Sequence, residues 1–259
     1  MSGAIAMAGM AAVRTGAGLV RVAVPDCCVE TVASYSPCFM IAPVTRQDSS
    51  GRICGLTESL LDWVRKSDCV AIGPGLGRSK LLDQMVVDLL DWIAIEAPQT
   101  SVVIDADTLN GLATHFDWHQ HLKASTVLTP HPGEWSRLSG VATSDPVRQS
   151  ETAVQLAGRS NCTILLKGNQ SLITDGKRSV RNQTGTPAMA TGGSGDVLTG
   201  IITGLICQGL SPFDAAQLGA HVHGLAGQLA ESLLSSHVVL PTELIQFLPQ
   251  AFKSLREGT

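Results

Sequence analysis

Between Asn182 and Leu210 the chain reads NQTGTPAMATGGSGDVLTGIITGLICQGL, and this stretch holds the residue types best suited to chemistry. A loop rich in Gly and Thr closes on Gly192-Gly193-Ser194-Gly195-Asp196. From Val197 the apolar residues Val197, Leu198, Ile201, Ile202, Leu205 and Ile206 recur at helical spacing. A glycine turn feeding a helix N-terminus is an anion site. The first backbone N–H groups of the helix have no internal partner, and the aligned peptide dipoles add partial positive charge there. Asp196 at the same place would repel the anion such a turn binds, and this conflict marks it for chemistry. The plainer reading makes it a helix cap supported by Ser194.

The elements that must position this turn alternate along the chain. A small-residue helix over residues 4 to 12 stops at Gly16 and Gly18, and a strand over residues 19 to 24 ends at Pro25. A short helix after Asp26 leads to a strand at residues 39 to 41. Helices are expected at 56 to 66, 80 to 95 and 146 to 159, and another opens within Thr129-Pro130-His131-Pro132-Gly133-Glu134. Between them lie apolar strands at 69 to 72, 102 to 104, 126 to 128 and 163 to 166. Short apolar strands separated by helices imply a mostly parallel sheet covered on both faces. Ligands of such sheets bind beyond the carboxyl ends of the strands. Residues 73 to 77, 105 to 110, 129 to 134, 167 to 171 and 192 to 196 therefore line one crevice.

Composition narrows the classes of function. With 259 residues, 44% of them hydrophobic, and no Pro/Gly/Ser-rich linker, the chain fits one α/β domain. Its net charge of -4 and its lack of a Lys/Arg run leave no electrostatic footprint for nucleic acid or an anionic membrane. The seven cysteines (Cys27, Cys28, Cys38, Cys54, Cys69, Cys162, Cys207) include no CxxC pair and read as reduced thiols in a soluble cytoplasmic protein. His221 and His223 point to different faces of one helix. His115 and His119 are expected to share a face but bring no third ligand, which argues against a protein-built zinc site.

Three familiar motifs are approached and missed. Gly73-x-Gly75-x-Gly77 has the wrong third spacing for a dinucleotide fingerprint and follows the third strand. No GxxxxGK[ST] occurs. Gly192 to Asp196 nearly spells a serine nucleophile elbow, but its fifth residue is Asp196 and no strand leads into it.

The ordered set is more specific than any single loop. Thr129-Pro130-His131-Pro132-Gly133-Glu134, Leu166-Lys167-Gly168-Asn169-Gln170, Asn182-x-Thr184-Gly185-Thr186-Pro187-x-Met189-Ala190 and Gly192-Gly193-Ser194-Gly195-Asp196-Val197-Leu198-Thr199-Gly200 together resemble the ADP/ATP-dependent NAD(P)H-hydrate dehydratases of the ribokinase-like superfamily. With residues 73 to 77, residues 105 to 110 and the opening Gly3-Ala4, the match runs nearly end to end. The resemblance implies a three-layer α/β/α fold with a mostly parallel central sheet, as one domain over residues 1 to 259. It also implies repair of hydrated NADH or NADPH with consumption of ADP or ATP. Phosphorylation of the C6 hydroxyl would make it a leaving group, and the ring nitrogen lone pair would then expel it as phosphate.

By the same resemblance Asp196 is the base that takes the hydroxyl proton, kept ionised at neutral pH by its helix N-terminus. Lys167, Gly168, Asn169, Gln170 and Ser171, with Gly193, Ser194 and Gly195, correspond to nucleotide contacts. Ala4, Gly75, His131 and Asp196 correspond to contacts of the hydrated dinucleotide. Mg2+ is implied with the nucleotide, without assignable protein ligands, and so is a homo-oligomer, a tetramer in the family. Singly, Lys167 reads equally as a solvated strand-end lysine, Gly75 as a turn former and His131 as a helix cap. Asp105 and Asn110 shape the crevice floor, with loop-turn chemistry as the rival account.

Two departures bear on the fold. The family has a strand and a glycine-rich turn ahead of the segment matching residues 2 to 18. An exposed sheet edge or gap is therefore expected beside residues 2 to 12, one that oligomer contacts would cover. Ala188 stands where the family often has Gly, and Ser194 where it often has Thr. Two other functions use the same turn: a kinase of a small alcohol, of thiazole or sugar type, and a nucleotide-binding protein without catalysis.

Overall fold

A computed structural model describes residues 1–44, 56–123, 125–235 and 237–256, so Cys54 lies outside the described residues. The chain opens with α1 (Ser2–Thr15), a helix of small residues that ends at Gly16 in a left-handed cap with φ of 112°. It continues through β1 (Val20–Pro25), α2 (Val29–Tyr35), β2 (Phe39–Val44), α3 (Glu58–Arg65), β3 (Cys69–Ile72), α4 (Lys80–Glu96) and β4 (Ser101–Ile104). Next come α5 (Ala106–Leu112), β5 (Thr126–Leu128), α6 (Pro132–Ser139), α7 (Pro146–Ser160), β6 (Thr163–Leu166), β7 (Leu172–Thr174) and β8 (Ser179–Arg181). Three helices, α8 (Ser194–Cys207), α9 (Pro212–Leu234) and α10 (Pro241–Arg256), complete the described chain. Helix starts follow side-chain chemistry: Thr57, Ser79, Asp145 and Ser211 each accept a first-turn N–H of α3, α4, α7 and α9.

Strands β3 to β6 lie side by side in chain order and parallel, and β7 and β8 extend the sheet antiparallel. Successive side chains on a strand point to opposite faces, so each central strand feeds two cores. Val103, Val127 and Leu165 pack with α8, α9 and α10, whereas Val102, Ile104, Leu128 and Ile164 pack with α4, α5, α6 and α7. Helices on both faces of a mostly parallel sheet make the three-layer α/β/α architecture expected from the sequence.

Some local expectations need correction. Residues 105 to 110, expected at the crevice floor with loop-turn chemistry as the rival account, wind into α5 immediately after Asp105. The β7–β8 pair carried no sequence expectation, because three-residue strands give too short a period to detect, and α10 carried none either. His115 and His119 do not share a helix face: His115 follows the end of α5, and His119 sits in the 3-10 turn Trp118–His121.

Among the described residues a gap lies beside α1. Within them β1 pairs with β2 alone, and this two-stranded sheet stands apart from the six-stranded one. Between β1 and the free edge of β3 lies a cavity of about 490 Å³, with Ile5, Ala8, Gly200 and Thr203 on one side and Trp63 and Val64 on the other. A two-stranded sheet with open edges is marginal without further support. Amides of β1 and β2 are therefore expected to exchange with solvent well ahead of those in β4 and β5. Native-state hydrogen exchange read by mass spectrometry checks this, and equal protection of the two sheets would show the gap to be closed in solution.

Candidate active site

The carboxyl ends of the central strands are stapled side by side by backbone hydrogen bonds. The Asp105 N–H donates to Ile72 O at 3.1 Å, the Thr129 N–H to Ile104 O at 3.1 Å, and the Lys167 N–H to Pro130 O at 2.8 Å. Gly73 ends β3 with φ of 129°, and a Cβ there would lie 1.8 Å from the Asp105 carbonyl oxygen. Only glycine allows β3 and β4 to turn into the crevice at the same level.

At this level a buried ionic network forms. Asp105 is 1% exposed, and its Oδ1 accepts from Lys167 Nζ at 2.8 Å. Its Oδ2 accepts from the Thr199 hydroxyl at 2.8 Å, which ties β4 and β6 to α8. The buried Glu134 faces the same ammonium, with Oε2 3.9 Å away. Lys167 is thus a held cation and not a solvated strand-end lysine. Burial leads the causes that raise the Glu134 pKa above the usual carboxylate range.

Above this network sits the N-terminus of α8. Gly193 is its left-handed N-cap, with φ of 98° and no side-chain capping bond. A Cβ on Gly195 would lie 3.2 Å from Lys167 Nζ and 3.8 Å from Asp105 Oδ2, so the turn rests directly on the ion pair. Asp196 enters the first turn of α8 without capping it, which removes the plainer sequence reading. Burial first, and then the Asp105 charge, push its pKa up to about 6, while Lys167 pulls the other way. The expectation that the helix terminus holds Asp196 ionised therefore needs a correction of cause. Asp196 is mostly ionised at neutral pH, but burial and a neighbouring carboxylate outweigh the favourable positive charges. Such a perturbed group in a crevice is a functional-site signature.

The Ser194 hydroxyl lies 3.3 Å from His223 Nε2 of α9. Desolvation lowers the His223 pKa to about 4, so this imidazole is neutral at physiological pH. The long loop ahead of the turn is anchored to α9: Asn182 Nδ2 donates to Ala220 O at 3.2 Å, and the Thr184 hydroxyl to His221 O at 2.8 Å. Gly224 and Gly227 make room for it, because a Cβ at either would strike Thr184 or Met189.

The remaining sequence candidates fall around the same crevice. Gly75, with φ of 68°, packs against the start of α1: a Cβ there would come 3.1 Å from the Ala4 Cβ, and Gly75 O accepts from the Met1 ammonium at 2.6 Å. Met7, further along α1, touches Gly193, which joins the Ala4–Gly75 corner to the α8 turn. His131 does cap α6: its Nδ1 accepts from the N–H groups of Gly133 and Glu134, while Glu134 accepts the His131 N–H at 2.8 Å. Its outer edge remains half-exposed, and burial with the nearby Lys167 lowers its pKa. Gly168, Asn169 and Gln170 form an exposed turn after β6, with Gln170 at φ of 54° and the Ser171 hydroxyl accepting the Gly168 N–H at 3.2 Å. Lys167 is their link to the α8 turn. Asn110 sits on α5 and accepts from Arg137 Nε at 2.7 Å, tying α5 to α6.

The sequence reading put Glu134 on the crevice and Thr199 in the ordered motif but gave no individual role to Thr199, Glu134 or His223. Thr199 had a visible signal: it is a fully buried hydroxyl in the apolar run from Val197, three residues beyond Asp196. His223 had none, since its partner is 29 residues away in sequence.

Comparison with known proteins agrees with this geometry. A family model described as NAD(P)H-hydrate dehydratase matches residues 1–250. A bifunctional NAD(P)H-hydrate repair enzyme of Moorella thermoacetica is 38% identical over 99% of this chain and 48% of its own length. The chain spans about half the length of the bifunctional curated relatives it matches. An ADP-dependent (S)-NAD(P)H-hydrate dehydratase of Cenarchaeum symbiosum is 30% identical over 97% of this chain and 84% of its own. Among solved structures, a ribokinase-like superfamily protein of Enterococcus faecalis V583 superposes with a TM-score of 0.78 at 28% identity, covering 97% of this chain and 82% of its own. The ADP/ATP-dependent NAD(P)H-hydrate dehydratase of Bacillus subtilis, co-crystallised with ATP/Mg2+ and soaked with CoA, gives 0.75 at 27% identity, covering 98% and 87%.

Proposed function

This chain belongs to the NAD(P)H-hydrate dehydratase family, and from that membership and the geometry of its crevice we propose that it returns hydrated NADH or NADPH to the intact cofactor at the expense of ADP or ATP. One observation carries the reading to particular atoms. An uncapped carboxylate, Asp196, stands in the N-terminal turn of α8 beside a held ammonium, with its pKa pushed up to about 6. Asp196 takes the proton of the C6 hydroxyl as that oxygen attacks the terminal phosphorus of the nucleotide and the phosphoanhydride P–O bond breaks, so that AMP leaves from ADP or ADP from ATP. Backbone N–H groups of Gly193 to Asp196 stabilise the transferring phosphoryl group, at about 3–4 kcal/mol for a well-placed donor. The ring nitrogen lone pair then expels phosphate as the C6–O bond breaks, and loss of the C5 proton restores the ring double bond.

The nucleotide is assigned to Lys167, Gly168, Asn169, Gln170, Ser171 and the Gly193–Gly195 turn, and the hydrated dinucleotide to Ala4, Gly75 and His131. Mg2+ would neutralise phosphate charge. Among the described residues no three His, Cys, Asp or Glu side chains gather as a cage, and Asp105 and Glu134 already serve Lys167 and the His131 N–H. With no such cage among the described residues, Mg2+ would arrive on phosphate oxygens and keep several waters. Residues 1 to 259 act as one domain, in a cytoplasmic homo-oligomer. No described helix is long and apolar enough to cross a membrane.

Incubating the protein with hydrated NADH, Mg2+ and ADP or ATP should restore the absorbance of intact NADH. A stable phosphorylated product would instead identify a small-alcohol kinase. Mg-ADP or Mg-ATP should also raise the melting temperature by binding the native state alone, worth about 2.7 kcal/mol at a hundred times Kd. NAD+ alone should do less, and stabilisation by NAD+ only would return the dinucleotide-fold reading.

A further inference from the structure

The crevice holds buried carboxylates besides Asp196, and of these Asp105 makes the closer contact with Lys167. Asp105 is fully enclosed, yet both of its oxygens are used, by Lys167 from β6 and Thr199 from α8. A buried ion pair is weak evidence of a gain in stability, because desolving two charges offsets their attraction. Its geometry has a clearer consequence here. The pair lies directly under Gly195, close enough that a methyl group there would press on the ammonium. We propose that Asp105 is a positioning residue, which holds the Lys167 ammonium beneath the Gly195 turn so that it faces the phosphoryl group in transfer.

This inference rests on the proposed reaction but adds a separate electrostatic effect. The charged groups that act on Asp196 are Asp105 at the end of β4, Asp107 in the first turn of α5, Lys167 at the end of β6, and the Met1 ammonium at the start of α1. The two carboxylates raise its proton affinity, and the two ammonium groups lower it. Removing the Asp105 charge while keeping its shape, as in Asp105→Asn, deletes a raising influence and leaves Lys167 with only the more distant Glu134, 3.9 Å away, to offset its charge. Both changes act in the same direction.

The test titrates Asp196 by carboxyl 13C NMR in the full chain, without nucleotide or substrate, and measures kcat and KM for the nucleotide separately. In Asp105→Asn the Asp196 titration should move to lower pH. Its kcat should fall at least about tenfold, toward the low end of the range for general acid–base catalysis, with the nucleotide KM changed much less. Thr199→Val, which removes one grip on Asp105, should shift kcat in the same direction by less, and Thr199→Ser should restore it. A folded Asp105→Asn protein whose Asp196 titrates as in the wild type would overturn the proposal. If Asp105→Asn does not fold, wild-type kcat in Thr199→Val would overturn it as well. Should the wild type fail to dehydrate hydrated NADH, the titration still decides the placement of Asp105, so the two failures are distinguishable.

Discussion

Asp196→Asn should lower kcat for dehydration by roughly 10²–10⁴-fold, the usual range for loss of a general acid–base group, with ADP binding retained or improved. The structure sharpens this expectation, because Asp196 caps nothing and its replacement sacrifices no helix-terminal bond. The wild-type rate should fall on the acid side as Asp196 takes up its proton at about pH 6. In Asp196→Asn that limb should disappear from whatever activity remains. Stability should move the opposite way. The folded-state pKa of Asp196 lies above its unfolded value, so the native state favours the protonated form and ionisation opposes folding. Asp196→Asn should therefore be more stable than wild type at neutral pH. The advantage should shrink as pH falls through about 6 and vanish below the unfolded pKa. Repair at near wild-type rate by Asp196→Asn would remove Asp196 from the mechanism.

Gly200→Val should damage the scaffold severely. Gly200 lies where α8 crosses α1, and a Cβ there would come 2.1 Å from the Ala8 carbonyl oxygen and 2.7 Å from the Ala11 Cβ. A side chain in place of glycine normally favours a helix, by up to about 1 kcal/mol for alanine. That gain is outweighed here, because the obstacle is backbone and relief requires the two helices to separate. Overpacking typically costs about 1–3 kcal/mol, and the lack of a yielding side chain puts this site at or above the upper end. At about 2–4 °C per kcal/mol for chains of this size, the melting temperature should drop by roughly 6–12 °C. Activity should suffer in the surviving folded protein, since Met7 of α1 rests on Gly193 and Ala4 on the Gly75 turn. A thermal melt within a degree or two of wild type would show that α1 moves freely on α8.

The limits of the sequence reading follow from particular residues. Asp196 was singled out because a carboxylate conflicts with an anion-binding turn, and the α8 geometry bears out its freedom from a capping role. The central strands were legible because burial on both faces leaves unbroken apolar runs such as Val102-Val103-Ile104. The α5 helix was not legible, because Asp105, Asp107 and Asn110 are residue types that also favour turns. His131 shows that two readings of a residue need not exclude each other: it caps α6 with one ring nitrogen and keeps its outer edge toward solvent.

By itself the sequence determined the alternation of helices and strands, the parallel sheet, the glycine turn at the start of α8 and the identity of the ionisable group within it. All of these depend on local pattern: periodicity, turn chemistry and the unpaired N–H groups of a helix start. Only the tertiary structure decided which charges act on that group. Lys167 and Asp105 stand 62 residues apart, and Asp105 and Thr199 stand 94 apart. Their meeting depends on the register in which β4 and β6 lie beneath α8. Coulomb interactions and desolvation act through that three-dimensional arrangement, so the direction of the Asp196 pKa could not be read from its own helix terminus.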